Sequence, residues 1–183
     1  MPKGWEVKKI KEVSKINAGG DRPKVFSETK NKECFVPIFS NGITQNGLYG
    51  FTDKPKIKEN AITVSARGTI GFAVMRLEPF VPIVRLITVI PNDGFLFRYL
   101  FDCIENFQLN ASGSVQKQLT VPHFSMLELL IPNKETLIRY QQITDRLLEQ
   151  SQIIIKQNHK LHQLQSLLLG RMMREEGFEI KIK

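Results

Sequence analysis

Most of the side chains in this sequence that could do chemistry are hydrogen-bonding or cationic groups set among glycines, and they suit recognition better than bond breaking. Asn41, Thr44, Gln45 and Asn46 fall in the stretch Ser40 to Gly50, where Gly42, Gly47, Gly50 and the pair Asn46-Gly47 mark an exposed loop. An amide presents a donor and an acceptor side by side, which is what reading a hydrogen-bonding edge requires, and glycine lets the supporting backbone approach a surface closely. Arg22 and Lys24 follow Gly19-Gly20, Arg67 stands between Ala66 and Gly68, and Lys117 with Gln118 occupies a further polar stretch. These residues are cations and forked donors able to hold phosphates or base edges. Each also has a plainer reading as a solvated loop side chain, and Arg67 as a brace of its own turn.

Groups suited to covalent chemistry are absent or badly placed. Glu28-Thr29-Lys30 and Glu179-Ile180-Lys181 are Glu-x-Lys triplets of the kind a magnesium-dependent nuclease uses, yet the first has only Asp21 near it and the second sits in a charged tail. In a chain this rich in Glu and Lys, such triplets arise by chance. The sequence has no glycine-rich cofactor loop, no Asn/Asp-Pro-Pro-aromatic motif, no Ser-His-Asp order, no phosphate loop and no zinc spacing. Cys34 and Cys103 stand far apart and read as reduced thiols packed as small hydrophobes. His159 and His162 lack a third ligand nearby. Neither a metal nor a cofactor is expected, and the chain reads as a non-catalytic protein.

The balance of charge says what such a surface attracts. Lys plus Arg number 26 against 18 Asp plus Glu, a formal net charge of +8. The excess is densest between Lys3 and Lys58. Positive excess of this kind draws nucleic acid or anionic membrane through long-range electrostatics and does not choose between them. No apolar run approaches the length of a bilayer span, and Met1-Pro2-Lys3-Gly4-Trp5 has no signal-peptide core, so a cytoplasmic protein is expected.

The elements that must position these groups form a sheet-rich body, residues 1–133. Trp5 to Lys9 and Val13 to Ala18 read as short extended segments, Phe35 to Phe39 as an apolar strand, and Ala61 to Ser65, Gly71 to Arg76, Ile83 to Ile90 and Leu127 to Ile131 as further strands. Phe97, Leu100, Phe101 and Ile104 have helical spacing within Phe95 to Phe107. Strands and helices do not alternate regularly. That excludes a doubly wound parallel fold and predicts an α+β domain with a curved mixed sheet and short helices.

Beyond the break at Pro132-Asn133, residues 134–175 read as one long helix, followed by a tail, 176–183, whose Phe178 to Lys183 alternates like a strand. From Glu135 to about Arg171 no glycine or proline intervenes before Gly170, and an apolar residue recurs every seventh position: Tyr140, Leu147, Ile154, Leu161, Leu168. With these at position a of a heptad, position d reads Ile143, Gln150, Gln157, Leu164 and Arg171, so the centre of the seam is polar. Buried amides cost stability and penalise wrong registers. Leu148, Ile155, His162 and Leu169 make a second stripe one position round, flanked by Ile153 and Leu167. So much apolar surface is too wide for one narrow contact and predicts that the helix touches more than one neighbour.

These residues carry a family resemblance. Gly4-Trp5-Glu6-Val7, with Ile10 and Val13 downstream and then Gly19-Gly20, resembles the start of a target-recognition domain in the specificity subunits of type I restriction-modification enzymes. Ser65-Ala66-Arg67-Gly68-Thr69-Ile70-Gly71 is similar to that family's strand-turn signature. Gly113-Ser114-Val115-Gln116 with Leu119-Thr120 resembles the element before its last strand, and Leu129-Leu130-Ile131-Pro132 leads into a long helix as it does there. Where the family often has an acidic residue and a glutamine early in that helix, this chain has Arg139-Tyr140 and then Gln141-Gln142.

The resemblance implies a subunit that performs no chemistry. It reads a split double-stranded DNA sequence and holds two methyltransferase subunits, which the restriction subunit joins. A complete subunit of the family carries two recognition domains at opposite ends of paired antiparallel helices; this chain carries one of each and shows no internal repeat, so it resembles half a subunit. A homodimer, its twofold axis near Gln150 and Gln157, would supply the other half and read an interrupted palindrome. A non-catalytic scaffold, or a fragment of a longer subunit, are the alternatives left open.

Overall fold

The computed structural model describes residues 1–107 and 118–175. Lys117, the Gly113 to Gln116 motif and the Phe178 to Lys183 tail lie outside the described residues. The structure divides into two units, a head, Met1–Gln141, and an arm, Gln142–Lys183.

In the head the mixed character expected of one sheet is spread over three. Strand β1 (Glu6–Lys9) pairs antiparallel with β9 (Glu128–Ile131), so the first and last described strands of the head close on each other. A four-stranded antiparallel sheet runs in the order β2 (Ser14–Ala18), β8 (Ile87–Pro91), β5 (Ala61–Val64), β6 (Ala73–Arg76). The third sheet runs β4 (Leu48–Thr52), β3 (Val36–Phe39), β7 (Val81–Pro82), with β3 parallel to β7.

The period of two along β5 and β8 builds a different packing environment on each face. Ile62, Val64, Ile87 and Val89 enter the main core with Leu96, Leu100 and Ile104 from helix α2 (Leu96–Glu105). Ala61 and Leu86 join Phe39, Ile57 and Phe80 in a second cluster. Because both faces are covered, every residue of β5 is buried. The one-turn helices α1 (Ile10–Val13) and α3 (Val121–Ser125) contribute Ile10, Val13 and Phe124 to the main core.

Helix α4 (Lys134–Glu175) starts where Asn133 accepts the Thr136 N–H at 2.9 Å, satisfying one of the free donors of the first turn. Within the head, Leu137 reaches the main core. Tyr140 donates its hydroxyl to Asp102, stacks edge-on against Tyr99 at 5.7 Å, and so is already engaged before the arm begins. Burial, reinforced by that hydrogen bond, pushes the Tyr140 phenol up to about 12. Asp102 also pairs with Arg98 at 3.0 Å.

Two segments differ from their sequence reading. The strand expected from Ile83 to Ile90 starts only at Ile87, because Val84 and Arg85 take left-handed backbone angles (φ 52° and 59°) and turn the chain. In the stretch expected as loop, Leu48 to Gly50 belong to β4, which pairs with β3 through a register shift between Ile38 and Phe39.

Leu100 has no exposed surface and sits where α2 meets the four-stranded sheet. Leu100→Ala is expected to lower the unfolding free energy of the chain by about 2–5 kcal/mol through lost burial and a residual cavity, measured by urea denaturation.

Candidate nucleic-acid interface

Gly19 and Gly20 lie against the backbone of the Ile83 to Leu86 turn. The Gly19 N–H donates to Leu86 O at 2.8 Å, Arg85 N–H to Gly19 O at 3.0 Å and Val84 N–H to Gly20 O at 2.8 Å. A Cβ on Gly19 would stand 2.7 Å from both the N and the O of Ile83, so only glycine permits this approach. The two segments together wall a cleft of about 390 Å³ lined by Gly19, Gly20, Asp21, Arg22, Arg67, Val84 and Arg85. Three arginines and one aspartate thus line one cleft. Arg22 lies over the Phe26 ring at 4.7 Å, and Arg67 donates twice to Gln118 Oε1, at 3.1 Å from Nε and 2.9 Å from Nη2. The Arg85 side chain has no hydrogen-bond or ionic partner among the described residues, which leaves its fork available to an anion.

Of the residues picked out by sequence, Arg22, Arg67 and Gln118 are therefore brought together. Lys24 is exposed but does not line the cleft. Arg85 was missed because, inside an apolar run, it reads as one outward-facing strand residue.

Asn41 has a different job. Its Nδ2 donates to Val84 O at 2.7 Å and its Oδ1 accepts the Ala66 N–H at 2.7 Å. One amide thereby clamps the backbone beside Arg85 to the backbone beside Arg67. Thr44, Gln45 and Asn46 form a short turn, Thr44–Gly47, in which all three are exposed. Gln45 and Asn46 are both left-handed, with φ of 48° and 55°. Such angles in residues with a Cβ cost about 1–3 kcal/mol each and persist only where the surroundings enforce them.

The enforcing contacts lie beneath the turn. Ser40 N–H donates to Gly47 O at 2.9 Å and Asn46 N–H to Ile43 O at 3.0 Å. Arg76, only 6% exposed, donates from Nη2 to Asn46 O at 2.5 Å and from Nε to Thr63 Oγ1 at 3.0 Å, with its guanidinium 3.5 Å from the Phe39 ring centroid. Burial pushes this guanidinium down to about 10, against the opposing pull of Glu78, so it remains charged at neutral pH. The side chains of Gln45 and Asn46 themselves make no hydrogen bond among the described residues.

The arm displays the stripe expected from its heptads. Ile143, Leu147, Ile153, Ile154, Leu161, Leu164, Leu167, Leu168, Leu169 and Met172 are all large apolar side chains between 48% and 69% exposed. Gln150 and Gln157 are exposed among them. An apolar face this continuous marks an interaction surface. Among the described residues no helix is long and apolar enough to cross a membrane.

A head that combines clustered guanidinium groups with outward amides, joined to an apolar helical arm, defines a recognition module. Residues 2–166 match the type I restriction modification DNA specificity domain, and the chain belongs to that family. It is 34% identical over 130 residues to the type I specificity subunit S.MpnORF507P of Mycoplasma pneumoniae, which covers 70% of this chain and 36% of that protein. It is also 34% identical over 126 residues to S.MpnORF89P of the same organism, 68% of this chain and 38% of the relative. Among solved structures, the HsdS subunit from Thermoanaerobacter tengcongensis superposes with a TM-score of 0.63 at 17% identity, over 82% of this chain and 39% of the other. The S subunit from M. genitalium gives 0.62 at 16% identity, over 93% and 44%. The chain thus spans well under half the length of these relatives.

Gly19→Ala should force the Ile83 turn away and open the cleft. The expected result is a loss of about 1–3 kcal/mol in unfolding free energy, as for other overpacked sites, together with weaker binding to any DNA duplex, read by thermal melting and fluorescence anisotropy.

Proposed function

We propose that this chain is the DNA sequence-recognition component of a type I restriction-modification system, with a head that engages one half of a bipartite double-stranded site. The observation that carries the reading is the convergence of Arg22, Arg67 and Arg85 on one cleft of a protein in this family. Clustered guanidinium groups are suited to phosphates, which position a protein on DNA, while exposed amides such as Gln45 and Asn46 are suited to base edges, which specify sequence. Thr44, Lys24 and, beyond the described residues, Lys117 complete the polar set assigned to the duplex. Asn41, Arg67 and Gln118 serve in part as braces of that surface.

The same reading makes the arm a dimerisation helix. Two copies pair antiparallel through Ile143, Leu147, Gln150, Ile154, Gln157, Leu161, Leu164 and Leu168, and Tyr140 marks the end of the seam where the helix enters the head. What supports this is the long exposed apolar stripe and the share of the relatives that the chain covers, from 36% to 44%, so that a second copy restores a two-headed assembly. Methyltransferase and restriction subunits dock on the paired helices, and the chain itself breaks no bonds and works in the cytoplasm beside its DNA. The domain limits that go with this are 1–133 for recognition, 134–175 for the spacer helix and 176–183 for the tail.

Two measurements test the proposal. Replacing Arg22 and Lys24 together by Ala is expected to weaken binding to all duplexes alike and to flatten the double-logarithmic salt dependence by roughly two units, and Arg85→Ala by about one. An unchanged slope removes those residues from the phosphate contacts. Light scattering after size exclusion at tens of micromolar is expected to give a dimer, and Ile154→Asp with Leu161→Asp a monomer; a wild-type monomer would end the self-paired version.

A further inference from the structure

The turn that carries Gln45 and Asn46 combines two features that local sequence does not explain. Consecutive non-glycine residues hold left-handed angles, and neither side chain makes a hydrogen bond among the described residues. A turn with only its own backbone bonds would relax to a cheaper conformation or move among several. What sits under it is Arg76, a buried cation without a salt bridge among the described residues. Charges of that kind are costly to bury and persist where they do something an apolar residue cannot.

The geometry points to that task. The guanidinium is planar, and its fork is fixed at three points: Nε on Thr63 Oγ1 at 3.0 Å, the face against the Phe39 ring at 3.5 Å, and Nη2 on Asn46 O at 2.5 Å. The first two anchors belong to central strand β5 and to strand β3, both fully buried. Arg76 therefore transmits the position of two rigid strands to the carbonyl of a residue whose own side chain faces solvent. Gly47 closes against Ser40, whose N–H donates to Gly47 O at 2.9 Å; a Cβ on Gly47 would lie 2.5 Å from Ser40 O, so only glycine permits this closure.

We propose that Arg76 is a positioning residue for base readout, holding the Gln45–Asn46 turn from inside the head in the one conformation that presents both amides to a DNA groove. The assignment rests on the DNA-recognition reading above. It separates two kinds of residue within one surface: cleft arginines that set affinity, and a buried arginine that sets selectivity without touching DNA. Arg76 is only 6% exposed and its fork is already engaged by Thr63 and Asn46, so its removal is expected to leave counterion release alone.

The test uses the full chain with its methyltransferase partner and a pool of random duplexes, sequencing what is retained. Arg76→Lys keeps the charge and loses the planar fork; Thr63→Val keeps the shape and loses one anchor of the guanidinium, and serves if the first variant folds poorly. Both are expected to lower enrichment of the preferred sequence at least tenfold, leave the salt slope of nonspecific binding unchanged, and speed amide hydrogen exchange at Asn46 and Gly47. Enrichment equal to wild type in a folded variant overturns the positioning role, and so does a salt slope reduced by about one unit in Arg76→Gln, which removes the charge, since that would make Arg76 a phosphate ligand. Failure of the wild-type chain to enrich any sequence would instead overturn the DNA-recognition reading and this assignment with it.

Discussion

One amide ties the two loops that carry Arg67 and Arg85. Asn41 spans from Val84 O to the Ala66 N–H, and these are the backbone neighbours of Arg85 and Arg67. Without that bridge, two of the three guanidinium groups in the cleft would sit on loops with no common reference. The Gly19-Gly20 segment adds the third, because its hydrogen bonds to Val84, Arg85 and Leu86 fix where the chain continues to Arg22. Asn41, which the sequence reading places among the candidate DNA contacts, also ties together the two backbone segments that carry Arg67 and Arg85. Its two bonds are made where backbone groups would otherwise go unsatisfied, and leaving such groups unpaired costs more than the bonds themselves contribute.

That construction concentrates strain. The non-glycine residues with left-handed φ among those described are Gln45, Asn46, Val84 and Arg85, and all four belong to the two loops braced by Arg76 and Asn41. At about 1–3 kcal/mol each, such angles would be lost if the supporting framework were soft. The framework is not soft: β5 is buried along its whole length, and separate clusters pack against its two faces. The head therefore spends rigidity in its strands to hold a surface that no local propensity would form.

How much of this was legible depended on whether the signal was local. The helix α2, the strands β3, β5, β6 and β9 and the start of α4 after Asn133 follow from short apolar periods and the break at Pro132-Asn133, and they appear close to where the sequence places them. The α+β class and the family follow from the order of such elements. Strand β8 was misjudged because β-branched Val84 favours extended backbone, and the angles it adopts are imposed by Gly19-Gly20, more than sixty residues earlier in the chain. Arg85 and Arg76 were invisible for the same reason. One reads as an outward strand residue and the other as the polar end of an alternating run, and only tertiary structure puts the first in a cleft and the second beneath a turn. Tyr140 shows the converse: its seven-residue spacing is real, yet Tyr99 and Asp102 engage it from within the head.

The division between bracing and reading residues bears on how such a head could change its target. Gln45, Asn46, Arg22 and Arg85 are exposed, and none of their side chains makes a hydrogen bond among the described residues, so replacing one removes little that holds the fold. Asn41, Arg76 and Gly19 are the opposite case: each is tied to, or packed against, backbone of another segment, so each substitution disturbs that segment as well. A surface built this way can vary its outward side chains while the spacing between cleft and turn stays constant. On the proposed function, affinity through phosphates and selectivity through bases would be separately adjustable, because the cations around Gly19-Gly20 and the Gln45–Asn46 turn are held by different anchors, Asn41 and Arg76. Change of specificity without loss of fold would then be the physical consequence of keeping those two anchors apart.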